Sequence, residues 1–463
     1  MAITLSEIRV GFYGERPGAG ELTWGQMGIW RNTQRYDGSM NLAWTAPPPE
    51  GASLADVAGM LRFMVSRHPA LRTRLRFTAG PSGLRHPQQV VVAAGEVPLH
   101  IVDIGDGDDP AAAAEELRSR YEVTWFDYEN EFPMRMGVIR QSGALVHLVA
   151  GCSHVMVDGA GLEFLYRDLK HLDRATGEAA APAGGLSPLE LARWQDGAAG
   201  RRQSERAIRY WAAQLARLPA WRLAEPGRQD GPRIAELMAY SPAMELGMRA
   251  VGARTGADAT SVLLAAYSAA VARVFGRDPG VALLVVSNRF RPSLASVVSQ
   301  VAQHGICVVD IADAAFGEVV ARAQKAVASA SFYAYYDPVA CDRLLDEAAA
   351  RRGQPLDVHW WINDLRGTAG PVGGDGGVPT KAELTQALPR TRLCWNRKTR
   401  RAHGTLYLFV DSGPVRLGGH APADGLPAVY MKVWADTQHF ALGQVEALVR
   451  EMEAVVVAAA FDT

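Results

Sequence analysis

Residues 143–169 constrain the fold of this chain more than any other segment. The apolar run at 144–150 lies between Gly143 and Gly151, which predicts a buried β-strand. Further on, apolar residues at positions 162, 165, 166 and 169 have the spacing of an α-helix. The connecting sequence Ser153-His-Val-Met-Val-Asp-Gly159 must therefore lead from a strand end to a helix start.

This connection places a histidine four residues before an aspartate. Asp158 and Gly159 open the predicted helix, where the first backbone N–H groups lack partners inside the helix. One interpretation is chemical: His154 holds a proton-exchanging imidazole beside a helix terminus that stabilises an anion. The other is structural, an ordinary core histidine followed by an aspartate helix cap. The stretch alone leaves both interpretations open.

The length of 463 residues is too great for one ordinary core and predicts two domains of about 200 residues each. The small-residue segment 173–187 is the best linker, so we expect an N-terminal lobe at 1–175 and a C-terminal lobe at 176–463. A composition of 48% hydrophobic and 21% charged residues is enough for a large core. The formal net charge of −1 gives no electrostatic reason to expect nucleic acid or an anionic membrane as a partner.

Several other classes of protein are disfavoured by missing patterns. The four cysteines are far apart and form no Cys-x-x-Cys pair, which argues against a disulfide framework and a zinc site. The sequence shows no phosphate-binding loop and no His-Glu-x-x-His helix. No signal peptide is evident and no apolar run reaches the length that a bilayer needs, so we expect a cytoplasmic protein with no membrane partner and no metal.

Two segments nearer the N-terminus carry polar residues of interest. Thr23 is placed to cap a helix with an apolar face, and Gln26 lies off that face as a candidate for a polar contact. The basic segment Arg67-His-Pro-Ala-Leu-Arg-Thr-Arg74 follows a predicted amphipathic helix that begins at Ser53. Its charges fit either an exposed surface or a functional role.

The connecting sequence resembles the His-His-x-x-x-Asp-Gly motif of condensation domains from nonribosomal peptide synthetases, with Ser153 in place of the first histidine. These domains belong to the chloramphenicol acetyltransferase-like superfamily. Residues 22–30 resemble the family's first core motif, although its usual arginine is Gly28 or Ile29 here, and residues 67–74 match the second almost letter for letter. Looser matches follow in the family's order at 187–195, Asn288-Arg289 and Gln303-x-Gly305.

The resemblance implies an α/β (α+β) fold with two chloramphenicol acetyltransferase-like lobes in an open V and an active-site tunnel between them. It implies a donor acyl thioester on the phosphopantetheine arm of a peptidyl or acyl carrier protein. A small-molecule or carrier-bound amine or alcohol is the implied nucleophile, and no cofactor is bound permanently. One condensation unit accounts for the chain, so we expect a free-standing enzyme that acts in trans.

The resemblance also implies roles for the motif residues. His154 is the catalytic residue, as general base or by positioning the attacking atom with a hydrogen bond. Asp158 supports the loop by pairing with an arginine of the second lobe, and Arg289 is the best candidate. The N–H of Gly159 faces the developing oxyanion. The substrate-binding candidates are Ser153, Arg289 and Gln26.

Three functions remain open on the sequence. The first is a free-standing condensation enzyme that forms an amide or ester bond. The others are an acyltransferase of the same fold that uses coenzyme A thioesters, and a catalytically silent domain that recruits another enzyme. The presence of His154, Asp158 and Gly159 favours catalysis. Ser153 is not expected to act as a nucleophile with His154 as its base, because neighbouring side chains of an extended segment point to opposite faces.

Overall fold

The computed structural model describes residues 5–79, 85–173, 180, 184–219, 233–354, 356–366, 377–399, 404–413 and 426–461. The α-helices of these residues are α1 Trp24–Tyr36, α2 Leu54–Arg67, α3 Pro110–Val123, α4 Gly159–Asp168, α5 Pro188–Asp196, α6 Ala198–Arg217, α7 Pro242–Thr255, α8 Ala259–Phe275, α9 Phe316–Phe332, α10 Pro338–Arg352, α11 Lys381–Ala387 and α12 Leu442–Ala459. The strands are β1 Ser6–Tyr13, β2 Gly18–Glu21, β3 Leu42–Ala46, β4 Thr73–Ala79, β5 Arg85–Val91, β6 Ala94–Ile104, β7 Met134–Gln141, β8 Ala144–Cys152, β9 Ile234–Ser241, β10 Gly280–Val286, β11 Gln303–Val309, β12 Trp360–Asp364, β13 Arg392–Thr399, β14 Leu406–Asp411 and β15 Val429–Asp436.

The predicted strand–loop–helix segment is present as β8, the connecting loop and α4. The helix begins at Gly159, three residues before the predicted periodic segment, because Asp158 caps it. One carboxylate oxygen of Asp158 accepts a hydrogen bond from Gly161 N at 2.7 Å. An aspartate cap satisfies one of the backbone N–H groups that a helix start leaves without a partner.

The chain divides into two compact units. Unit 1 comprises Met1–Arg202 and Ser287–Ala302, and unit 2 comprises Gln203–Val286 and Gln303–Thr463. This differs from the division expected at residue 175, because α5 packs within unit 1: the Trp24 N–H donates to the Gln195 side-chain oxygen at 2.9 Å. Most of the expected linker, 173–187, lies outside the described residues.

Within the described residues, unit 1 has a five-stranded sheet in the order β1-β6-β7-β8-β3 and a three-stranded sheet in the order β2-β5-β4. Only β6 and β7 run parallel among these neighbours. Helix α2 starts after Ser53, as predicted, with a capping box between Ser53 and Asp56. Its apolar stripe, Val57, Leu61 and Val65, is fully buried in the core of unit 1.

Unit 2, in its described part, has a seven-stranded sheet in the order β11-β10-β12-β14-β15-β9-β13. The predicted apolar strand 281–286 is β10, which is paired on both sides and buried along nearly its whole length. Helix α8 is buried from Ser261 to Val271 and packs in the largest core of the unit. Among the described residues, no single helix is long and apolar enough to cross a membrane. Only α7 and α8 together, a pair bent by 111°, meet that test, on length and composition alone.

Candidate active site

The loop between β8 and α4, residues 153–158 (the motif loop), is a tight turn held by backbone hydrogen bonds. The Ser153 carbonyl accepts from Met156 N at 3.0 Å and from Val157 N at 3.2 Å. The Ser153 N–H donates to Pro133 O at 3.0 Å, which ties the turn to the residue before β7. The side chains of Val155, Met156 and Val157 are fully buried. The loop is therefore held in one conformation, and His154 is its one partly exposed side chain.

The ring of His154 is oriented by a contact with the Val157 backbone. Its Nδ1 lies 3.0 Å from Val157 O. Because a carbonyl oxygen can only accept, Nδ1 carries the proton, and in the neutral ring Nε2 keeps its lone pair. Burial lowers the pKa of His154 below its ordinary value, and this outweighs the Val157 hydrogen bond and the Asp158 charge, which favour the protonated form. At neutral pH the imidazole is a neutral base that can accept a proton at Nε2.

Asp158 is occupied by donors from its own loop and from residues 287–302. Besides the cap bond to Gly161, its other oxygen accepts from Val301 N, Ala302 N and Arg289 Nη1, each at 2.9 Å. The second guanidinium nitrogen of Arg289 lies 2.8 Å from the first carboxylate oxygen. The carboxylate is almost completely buried. With both oxygens engaged, Asp158 holds the loop in place and does not face a substrate.

Arg289 forms the ion pair that the resemblance implies, but it belongs to unit 1, with Asp158, and not to a second lobe. Its guanidinium also donates to Val297 O at 3.0 Å and Ser299 O at 3.2 Å. The adjacent Gln300 N–H donates to Met156 O at 2.9 Å. These contacts fasten residues 287–302 to the motif loop. Arg289 therefore has a structural position and not the predicted substrate contact.

Gly159 is exposed at the first position of α4, and a Cβ added there would meet nothing within 4 Å. The residue is therefore open to approach from outside the protein. Gly161 shows the opposite: an added Cβ would lie 3.0 Å from the Val157 side chain and 3.1 Å from both the Asp158 carboxylate and Ser299 O. The first glycine leaves open space, whereas the second is needed for close packing.

Ser153 and Gln26 are both 0% exposed, so neither is positioned for the predicted substrate contact. The Ser153 hydroxyl donates to Tyr128 Oη at 3.1 Å. Gln26 forms a capping box with Thr23, the predicted cap of α1. Its side-chain nitrogen lies 3.3 Å from Met156 Sδ. Both side chains stabilise the motif loop on its buried side.

The basic segment 67–74 is largely buried, and the surface interpretation is wrong for its central residues. Arg67 forms an ion pair with Asp168, and His68 Nε2 lies 2.9 Å from the same carboxylate. Burial raises the pKa of Asp168, but the contacts with His68 and Arg67 outweigh burial and lower it well below its usual range. Arg72 is 1% exposed and donates to Val92 O and Glu15 O. This segment fixes the end of α2 to the end of α4.

Sequence reasoning missed three contributors to the site. Tyr128 holds Ser153, Asp168 anchors α4, and the backbone N–H groups of Val301 and Ala302 hold Asp158. None lies close in sequence to its partner, so periodicity could not reveal them. A cavity of about 340 Å³ in unit 2, lined in part by Glu245 and Arg366, contains none of the predicted site residues.

Comparison with known proteins identifies the family of this chain. A family model described as Condensation domain matches residues 41–353 of the 463. The chain belongs to the condensation domain family. The nonribosomal peptide synthetase kk1B of Curvularia clavata is 29% identical over 255 residues, which are 51% of this chain. The match spans only 2% of that synthetase.

Solved structures agree on the fold of this condensation domain. The condensation domain of the monacolin K polyketide synthase MokA has a TM-score of 0.72 at 15% identity, covering 97% of this chain and 99% of that one. The X-domain from teicoplanin biosynthesis has a TM-score of 0.69 at 19% identity and covers 97% of both chains. It has also been solved in complex with OxyB. The predicted α/β (α+β) fold class is confirmed, while the arrangement of the two lobes stays a prediction.

Proposed function

We propose that this condensation domain joins a carrier-bound acyl thioester to an amine or alcohol, with His154 as the residue that takes the proton. The observation that carries the proposal is the state of the His154 ring. Its Nδ1 is hydrogen-bonded to Val157 O, and burial lowers its pKa, so a neutral base is available at Nε2. Positioned histidines of this kind contribute about 10²–10⁴-fold to proton-transfer reactions.

The chemistry needs one proton transfer in each direction. The nucleophile attacks the thioester carbonyl carbon, and its N–H or O–H proton passes to His154 Nε2. Collapse of the tetrahedral intermediate forms the amide or ester, breaks the C–S bond and returns the proton to the leaving thiolate. The N–H of Gly159, an exposed residue at the positive end of α4, is the proposed donor to the oxyanion.

Asp158 and Arg289 take a supporting part in this proposal. Their ion pair is buried and hydrogen-bonded to backbone donors and acceptors, so it holds the loop in place and does not contact the reacting atoms. The pair keeps the start of α4, and hence Gly159, in register with His154. Condensation domains act with carrier proteins whose phosphopantetheine arm bears the acyl group, and we propose the same partner here. The expectation that the chain acts in trans stays a prediction.

The proposal is tested by incubating the protein with acyl-loaded carrier proteins and a panel of amines and alcohols, and by identifying amide or ester products by mass spectrometry. His154→Ala should abolish most product formation. His147→Ala is the matched control, since His147 is also a half-buried histidine but lies within β8. Product formation with acyl coenzyme A and not with the carrier would replace the carrier by coenzyme A as donor. Equal product from the wild type and His154→Ala would remove His154 from the mechanism.

A second candidate function is recruitment of a partner enzyme. It is favoured by the likeness to the teicoplanin X-domain, which has been solved in complex with OxyB, and by the serine at position 153. This function requires no product from any acyl donor. A silent domain would also tolerate His154→Ala without loss of partner binding, which a pull-down from the cognate pathway enzymes would measure.

A further inference from the structure

Tyr128 is a buried residue to which the chemistry above assigns no task. It is 8% exposed, and its ring packs edge-to-face on Trp30 with centroids 5.5 Å apart. Its carbonyl accepts a hydrogen bond from Leu75 N, in β4, at 2.7 Å. Backbone and ring are therefore both anchored, and its hydroxyl occupies a fixed place behind the motif loop.

This hydroxyl meets the position at which the chain departs from its family. The Ser153 hydroxyl donates to Tyr128 Oη at 3.1 Å, and Ser153 is completely buried. Burial raises the pKa of Tyr128 to about 12, so the phenol stays protonated and neutral at physiological pH. The contact is a hydrogen bond between neutral hydroxyl groups, shielded from water, and such bonds are expensive to leave half-made.

The contact leads to His154 in two further steps. The Ser153 carbonyl accepts from Met156 N and Val157 N and closes the turn. The Val157 carbonyl in turn binds Nδ1 of His154 and sets its tautomer and ring orientation. Any movement of Ser153 thus moves the acceptor that holds the imidazole.

We propose that Tyr128 is a positioning residue that acts through Ser153 to hold His154 in its Nδ1–H form with Nε2 free to accept a proton. The proposal rests on the proposed function only in naming His154 as the reacting group. Serine and tyrosine form a matched pair: each supplies the partner that the other needs inside the protein.

The test is NMR titration of the ring nitrogens of His154, assigned by their loss in His154→Ala, in the wild type, Tyr128→Phe, Ser153→Ala and the double variant. Each single change should raise the His154 pKa toward about 6.5, the ordinary value, and lower the Nδ1–H share, because a loosened turn admits water. The double variant should shift no further than the larger single change. Asp158 is the charged group that acts on the pKa of His154, and none of the four proteins changes it or its partner Arg289.

The matched control is Tyr267→Phe, which removes a buried hydroxyl that donates to Val281 O at 3.3 Å in unit 2. It should lower the melting temperature and leave the His154 titration unchanged. The proposal is overturned if Tyr128→Phe leaves the tautomer and pKa of His154 unchanged, whether or not it lowers the melting temperature. It is also overturned if the effects of Tyr128→Phe and Ser153→Ala on the His154 pKa add independently in the double variant. If Tyr128→Phe does not fold, Ser153→Ala tests the proposal by itself. An unchanged His154 titration in Ser153→Ala would show that Ser153 does not position His154. The readout needs no substrate, so failure of the acyl-transfer assay is a separate result.

Discussion

Replacing Asp158 by alanine should destabilise unit 1 as well as abolish activity. The change removes the acceptor of four hydrogen bonds recorded among the described residues. It leaves Arg289, whose side chain is 8% exposed, as a buried cation without its carboxylate. The N–H groups of Val301 and Ala302 lose their partner, and α4 loses its cap. Each of these losses acts on the segment that fastens residues 287–302 to the motif loop.

The magnitude follows from the largest of these losses. Breaking a buried ion pair by removing one partner costs about 3–5 kcal/mol. The lost cap is worth about 1 kcal/mol by itself, but it shares atoms with the ion pair, so the two are not added. In a domain of 150–250 residues, 1 kcal/mol shifts the melting temperature by about 2–4 °C. Asp158→Ala should therefore lower the unit 1 transition by roughly 6–20 °C.

Differential scanning calorimetry of Asp158→Ala measures this shift. Asp103→Ala is the matched control, because Asp103 pairs with Arg140 at the surface, where ion pairs contribute about 0–1 kcal/mol. The double variant Asp158→Leu with Arg289→Met removes both charges and should recover much of the loss, since apolar replacements of buried pairs are often neutral. An inactive Asp158→Ala protein that melts like the wild type would refute the structural role and place the carboxylate in the chemistry.

Four further results are expected. His154→Ala should lower turnover about a hundredfold or more with little change in melting, and a variant that keeps over half the rate would exclude His154. Because the reactive form of His154 is neutral and burial lowers its pKa, kcat/KM should fall only below about pH 6.5, and an acid limb centred above pH 7 would contradict this. Gly25→Ala should lower the free energy of unfolding by about 1–3 kcal/mol or more, because its Cβ would lie 2.2 Å from Gln300 O. Gly59→Ala is the control and should not destabilise α2, because its Cβ would meet nothing within 4 Å. Equal melting temperatures of the two variants would refute the close packing at Gly25. Ser153→Ala should change the rate by less than about tenfold, or 1.4 kcal/mol, and a thousandfold loss or an acyl adduct on Ser153 would indicate a nucleophile.

The local part of the site could be predicted from the sequence because its causes are local. The apolar run at 144–150 forms a strand by its own composition, and Asp158 caps α4 through a residue three positions away. The Asp158–Arg289 pair was predictable only from the resemblance, since 131 positions separate the two residues. The order of the family motifs along the chain indicated this pair, which hydrophobic periodicity could not indicate.

The burial of polar side chains could not be predicted in the same way. Gln26 lies off the apolar face of α1, yet it is covered because Gln89 and Met156 approach it from other elements. The charges of Arg67 and His68 suggested a surface because their counter-ion, Asp168, lies about a hundred residues further on. A buried charge requires a partner, and the identity of that partner is a property of the tertiary structure.

The serine at position 153 is compatible with catalysis for a geometric reason. The turn sends this side chain inward, where it is completely buried against Tyr128, while His154 and Gly159 remain accessible. A change at position 153 therefore acts on the groups that meet a substrate only through the support of the loop. Because the hydroxyl of Ser153 has a buried partner, the turn that orients His154 is kept without the histidine of the family motif. The departure at Ser153 is then weaker evidence for a silent domain than a change at His154 would be.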